Sequence, residues 1–249
     1  NPVNNSQVIL RKVPGLFIGQ HAGGGKAEQI FLRGFDIDHG TDINITVDGM
    51  PVNMVSHAHG QGYSDLHCVI PETIERIEFD KGPYNADKGN FATAGYVNFQ
   101  TKRAIDKSSV TVEGGSFNTT RTVGLFNLIN ETKNHAYVAA EYLSSDGPFE
   151  SSQNFNRINL MGKYGLTLDD GSDISLIASY FTSQWDASGQ IPVRAVQSGQ
   201  ITNFGALDDT EGGTTSRMNL ALNHSKMIND KLYIRNNVFY NTYDFELFS

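Results

Sequence analysis

The stretch RINLMGKYGLTL, residues 157–168, decides how the second half of the chain is read. Ile158, Leu160, Tyr164, Leu166 and Leu168 share one parity, whereas Asn159, Lys163 and Thr167 share the other. A period of two marks an extended strand with one greasy and one wet face. DISLIASYFTS (173–183) and KLYIRNNVFYNTY (231–243) repeat it, with Ile174, Leu176 and Tyr180, then Leu232, Ile234, Val238 and Tyr240, on the apolar parity. From about residue 108 onward the pattern predicts strands near 108–116, 119–129, 134–145, 157–168, 173–183, 216–228 and 231–246, joined by turns and without a helix.

A soluble sandwich alternates in the same way, so the connections carry more information than the strands. NETK (130–133), DDGS (169–172) and MIND (227–230) are tight, whereas DGPFESSQNFN (146–156) and the segment from Gln184 to about Thr215 are long. If the strands run up and down, the three tight turns fall at one end and the two long loops at the other. That asymmetry is expected of an outer-membrane barrel. Tyr142, Tyr164, Tyr180, Phe181, Tyr240 and Tyr243 stand near strand ends, which suits interfacial girdles, although shielded residues of a sandwich would look alike. Seven strands do not close an aqueous barrel, and an open edge in lipid leaves unpaired amides. The expectation is therefore a partial barrel from a chain truncated at both ends, or one completed by another chain.

Composition narrows the function classes. The formal charge of −8 and the sequence pI near 5.3 offer no basic field for nucleic acid, and no Lys/Arg run appears. No stretch approaches the roughly 18–20 apolar residues of a membrane-spanning helix. Cys68 is the single cysteine, which excludes an internal disulfide framework, and in LHCVI it reads as a small buried hydrophobe. The opening NPVNNSQVIL has neither a basic region nor a long apolar core, so it reads as the interior of a mature protein.

Residues 1–103 follow a different grammar and read as a small α/β unit. Val8, Leu10 and Val13 fit one side of a short helix that stops before Pro14, and IPETIERI places Pro71 in a helical first turn near Glu72 and Glu75. Short apolar runs are punctuated by glycine turns, and Asp48-Gly49 is a strong tight-turn signal because such turns demand positive φ.

Five motifs in this half, LRKVPGLFI (10–18), IFLRGFD (30–36), ITVDGMPVN (45–53), IPETIERIEFDKGP (70–83) and AGYVNFQT (94–101), resemble the plug domain of TonB-dependent outer-membrane receptors in order and spacing. The resemblance implies an α/β plug over 1–103 followed by antiparallel transmembrane strands over 104–249, the first seven of a barrel of about 22. It also implies a receptor in the outer membrane of a Gram-negative bacterium that binds a scarce solute for uptake energised by periplasmic TonB. The family's TonB box lies upstream of the plug and outside this sequence, as would any signalling extension. Arg33, Gly34, Asp48, Gly49, Gly82 and Pro83 are expected to serve the plug's structure, with Arg33, Glu75, Glu78 and Asp80 on a polar seam.

By the same resemblance, loops 19–28 and 53–66 form an outward apex, where His21, Lys26, His57, His59, Gln61 and Tyr63 are expected to meet the ligand. Reading QIFLRGF as one strand and DIDHGTD as the far turn puts His21, His57 and His59 at one end and His39 at the other. His21, His57 and His59, with Asp65 or Glu28, could hold a metal ion or touch a metal chelate carried as solute. The same histidines could equally hydrogen-bond neighbours or an organic ligand. Trp185, Phe149 and Phe155, read as loop aromatics, could stack on a ligand ring or simply pack.

Signals for other chemistries are missing. HAGGGKAEQ (21–29) fails the P-loop spacing at Gln20 and Ala27, DIDHGTD (36–42) lacks the EF-hand register, and no G-x-S-x-G occurs. Two further classes remain. A soluble binding or adhesion β protein would show polar residues on both sheet faces, and a metal-dependent enzyme would need a base beside the histidines.

Overall fold

The computed structural model describes residues 6–20, 24–57 and 60–248. Two compact units emerge: one gathers residues 26–102 with the N-terminal segment, and the other gathers 103–248 together with residues 24 and 25.

The first unit is built from two small sheets. In one, β1 (Leu16–Gly19), β2 (Gln29–Leu32) and β3 (Phe35–Asp36) pair antiparallel in that order. In the other, β4 (Ile43–Val47), β5 (Met50–Pro51), β6 (Ile74–Lys81) and β7 (Gly95–Thr101) are arranged β5-β4-β7-β6, with β4 parallel to β7. Leu10, Ile30, Leu32, Ile43, Ile45, Val97 and Phe99 form one buried apolar cluster. Each such side chain stabilises the fold by about 1.5–3 kcal/mol relative to exposure. The polar partners Asn98 and Gln100 alternate away from the core along β7.

Helix content in this unit is lower than the sequence suggests. Ser6–Lys12 forms a 3-10 helix, not an α-helix, which still brings Leu10 and the following Val13 into the core. Pro71–Thr73 is one 3-10 turn that passes directly into β6. The helix-like spacing of Ile74 and Ile77 has another cause: the β6–β7 register shifts between Ile74 and Arg76. The extra residue of this bulge puts both isoleucines against the core despite their odd separation.

Two-residue turns set the strand directions. Asp48 and Gly49 both have positive φ, 48° and 82°, between paired Val47 and Met50. The Asp48 carboxylate also accepts from the Thr101 amide at 3.0 Å, tying the β4–β5 hairpin to the end of β7. Arg33 and Gly34 have the same signs, 50° and 87°, between paired Leu32 and Phe35. The chain therefore reverses at Arg33-Gly34, and the Ile37 amide donates back to the Ile30 carbonyl. His39 consequently returns to the end where β2 began, which overturns the expectation that it stands at the opposite end. Gly82 also has positive φ and donates its amide to Ala94, while Pro83 beside it is exposed.

The second unit is a seven-stranded antiparallel meander: β8 (Ser109–Gly114), β9 (Thr120–Asn130), β10 (Asn134–Ser145), β11 (Phe155–Thr167), β12 (Asp173–Asp186), β13 (Gly212–Asn229) and β14 (Leu232–Phe248). Residues 131–133, 168–172 and 230–231 make the tight turns at one end. The loops 146–154 and 187–211 lie at the other, and the longer contains a short helix, α1 (Val193–Gln197), that the periodicity does not reveal. The two long loops are joined: the Glu150 amide donates to the Phe204 carbonyl at 2.9 Å, and Glu150 accepts from the Thr202 hydroxyl at 2.7 Å.

Burial in this unit is inverted. Ile158, Leu160, Tyr164, Leu176, Tyr180, Met218, Leu220, Leu222, Val238 and Tyr240 are exposed, whereas Arg121, Glu141, Arg157, Asn159, Thr215, Arg217 and Asn219 are buried. A sheet in water would place its apolar parity inside, and a barrel wall in lipid places it outside. This favours the membrane reading over the soluble sandwich. Phe181 breaks from the expected girdle: with Ile177, Ser183 and Trp185 it is buried on the opposite parity from Tyr180.

Candidate functional site

The loop carrying SHAHGQGYSD is pinned at its base. Met54 and Tyr63 form an isolated antiparallel bridge, with the Met54 amide donating to Tyr63 at 2.9 Å and the Gly62 amide donating to Met54 at 2.7 Å. Buried Asn53 sits below it. Its amide nitrogen donates to the carbonyls of Gly40, Ile43 and Gly62, and its oxygen accepts from the Ile45 amide at 2.7 Å. Gly62 must be glycine on two grounds: its φ is +86°, and a Cβ there would lie 2.8 Å from the Gly40 carbonyl oxygen. Asn53 and Gly40 thus hold a neighbouring turn against the loop, a function that no motif in the sequence announces.

Tyr63 is the platform of the site. Its ring is buried, His57 stacks on it with centroids 4.0 Å apart and planes 5° apart, and His39 tilts against it at 5.3 Å. Its hydroxyl accepts from the Ala27 amide at 2.7 Å. One phenol therefore links the segment after residue 24 to the loop around residue 60. Burial pushes the phenol pKa well above its ordinary value, and the negative charge of Asp65 pushes it further, against a smaller opposing effect of the Ala27 amide. Tyr63 stays a neutral hydrogen-bonding group at any physiological pH.

The acidic residues behind this platform are already engaged. Asp65 accepts from the His67 amide and faces His67 Nδ1, both at 2.8 Å, with both residues buried. That contact makes Nδ1 the protonated nitrogen when the ring is neutral. Asp65 is thus committed to its own turn, not offered as a ligand beside His57. Glu28 is buried at the end of β2's approach, and His39 Nε2 lies 3.3 Å from Asp38. Lys26 and His57 are half-buried and Gln61 is exposed. His21 and His59 lie outside the described residues, and among the described residues no group of three or more His, Cys, Asp and Glu side chains is placed to hold a metal.

Two of the three aromatics expected in long loops are instead wall residues. Trp185 lies on β12 and Phe155 on β11, both buried with Leu143 and Ala187 in one cluster. Only Phe149 is a loop residue, its ring 6.2 Å from that of Phe204. Deeper on the same inward face, Glu141 accepts from Arg121 Nε at 2.6 Å, Arg157 at 3.0 Å and Asn159 at 2.7 Å, while Arg121 also reaches Glu113 at 3.0 Å. Two guanidiniums and two carboxylates balance, which makes a buried charge cluster tolerable. The alternation of the strands predicts polar positions here but not which side chains meet.

Residues 1–96 match the family model described as the TonB-dependent receptor plug domain. Over residues 1–96 the chain carries a domain of the TonB-dependent receptor plug family. Solved structures share the fold across the plug and the strands that follow. The ferric citrate transporter FecA, in its unliganded form, aligns with 98% of this chain and 38% of its own, at TM-score 0.81 and 15% identity. The copper transporter OprC aligns with 96% of this chain and 35% of its own, at TM-score 0.73 and 19% identity. The siderophore receptor PirA from Acinetobacter baumannii aligns with 97% of this chain and 38% of its own, at TM-score 0.70 and 20% identity. The chain thus spans little more than a third of the length of the receptors it matches. The plug domain and the seven strands share the fold of part of an antiparallel β-barrel.

Proposed function

We propose that this plug and barrel wall belong to an outer-membrane receptor of a Gram-negative bacterium, which binds a scarce solute at its outer face for uptake energised by periplasmic TonB. One observation carries the reading: a plug domain is followed by a sheet whose apolar parity faces outward and whose polar parity is buried. A protein that works in water has no use for that inversion, and a plugged pore in lipid requires it. The role is carriage, not catalysis.

Within the plug, the ligand-contacting set is the loop held on Tyr63, with His57 and Gln61 as its accessible side chains and Lys26 on the adjoining segment. His21 and His59 belong to the same two loops in sequence. The solute class we favour is a metal chelate. Three fold neighbours are named as a ferric citrate transporter, a copper transporter and a siderophore receptor, and a stacked imidazole with nearby amide and ammonium groups suits the oxygen-rich shell of such a complex. The test is binding of ferric citrate, ferric catecholate and cupric ion to the full receptor in detergent, with elemental analysis of what co-purifies. His57→Ala combined with His59→Ala is expected to weaken binding of the retained ligand while the plug stays folded. Unchanged affinity for every ligand bound would remove the site assignment.

A further inference from the structure

The inward face of the barrel wall carries polar groups that its ion-pair network leaves over. Arg157 on β11, Ser183 on β12 and Thr215 on β13 stand in direct register across three neighbouring strands. Trp185 is the next inward position on β12 toward the long loops. All four residues are at most 3% exposed. Yet Arg157 Nε, Ser183 Oγ, Thr215 Oγ1 and Trp185 Nε1 make no hydrogen bond with the described residues. Buried polar atoms are seldom left in that condition, and four on one strip of wall are not scatter.

The chemistry of the strip selects its occupant. Two of the groups are N–H donors only and two are hydroxyls that donate or accept, so the occupant must accept hydrogen bonds. The one charged group of the strip, Arg157, is already paired with Glu141, so the strip itself does not call for an anion. The row crosses two strand spacings, about 10 Å in all, which is too far for one small molecule to serve every group. The long-loop end is closed by apolar surface: Phe155 and Leu143 pack with Trp185, and Gly25 and Gly213 lie so close to the indole that a Cβ at either would strike it.

We infer that this strip is a built internal hydration site, holding a short file of ordered water molecules along Arg157, Ser183, Thr215 and Trp185. Water accepts from both N–H groups and satisfies both hydroxyls. It also completes the donor set of Arg157, steadying the guanidinium against Glu141. The inference is independent of the solute proposed above.

A high-resolution density map of the full receptor in lipid is expected to show water within about 3.2 Å of Arg157 Nε and Thr215 Oγ1. A map in which those atoms pair with protein groups overturns the inference. Pulsed hydroxyl-radical labelling gives a second reading on the unsubstituted protein. Trp185 should label several-fold faster than Phe99, which is as buried but lies in an apolar core; equal labelling counts against the water file. Thr215→Val and Ser183→Ala supply a sign test. Removing a dry, unsatisfied hydroxyl should raise the Tm, whereas removing a hydroxyl that holds water should leave it unchanged or lower it. A rise in both variants refutes the site.

Discussion

The plug and the barrel wall are made by the same chain under opposite rules. In the plug, Ile30, Ile43, Ile45 and Phe99 are fully buried, and charged residues such as Arg33 and Glu75 are exposed. In the wall, Arg121, Glu141 and Arg157 are buried, and Leu160, Leu176 and Leu220 are exposed. Nothing in the local strand geometry accounts for the reversal, since both use pleated strands with alternating faces. The solvent does. Water drives the plug's apolar surface inward, whereas hydrocarbon accepts the wall's apolar face and rejects any unpaired polar group.

The contrast can be attacked at its strongest point first. Glu141→Ala leaves Arg121 and Arg157 facing each other without their shared carboxylate, and should cost about 3–5 kcal/mol in urea unfolding from lipid vesicles. A loss below 1 kcal/mol would mean that the cluster is not desolvated, so the wall would not be buried and polar as described. Ile45→Ala in the plug should cost about 2–5 kcal/mol by ordinary cavity formation. The most discriminating pair compares two exposed apolar residues. Leu160→Arg should cost about 2–4 kcal/mol if its face meets lipid, with the largest loss at mid-membrane depth. Val55→Arg, on a plug loop, should change stability by no more than about 0.5 kcal/mol. Equal costs would erase the distinction between the two environments. Asn53→Ala should remove about 1–3 kcal/mol by stranding the Ile45 amide and freeing the turn at Gly40. A small effect is also expected of Lys226→Ala, whose partner Asp170 lies on an exposed tight turn, and it should stay within about 1 kcal/mol. Asp170 nevertheless has its pKa drawn down, first by the Lys226 ammonium and then by Ser172.

Tyr63 shows why a site is harder to read than a fold. Its place in YSD is visible, but its value lies in three partners from distant positions: Ala27, His39 and His57. QIFLRGF reads as one apolar run, and a strand of that length would carry His39 to the far end, whereas the reversal at Arg33-Gly34 brings it back. Arg33 gives no warning of positive φ, which Asn or Asp would have given. Trp185 and Phe155 depart from the loop expectation for a related reason: both extend strands past the last clear alternation into segments rich in polar and small residues, where periodicity fades before pairing does. Similarly, Ile74 and Ile77 imitate a helix because a bulge changes the strand period locally.

By itself the sequence determined the strands of the wall, the sides of its tight and long connections, and the Asp48-Gly49 turn, because period-two patterning and positive-φ turn chemistry are local properties. It also carried the plug motifs in order. Only the tertiary structure decided which parity faces inward, which end receives His39, and which polar groups meet around Tyr63 and Glu141. Those outcomes depend on strand direction and on contacts between residues far apart in the chain, and no local pattern encodes them.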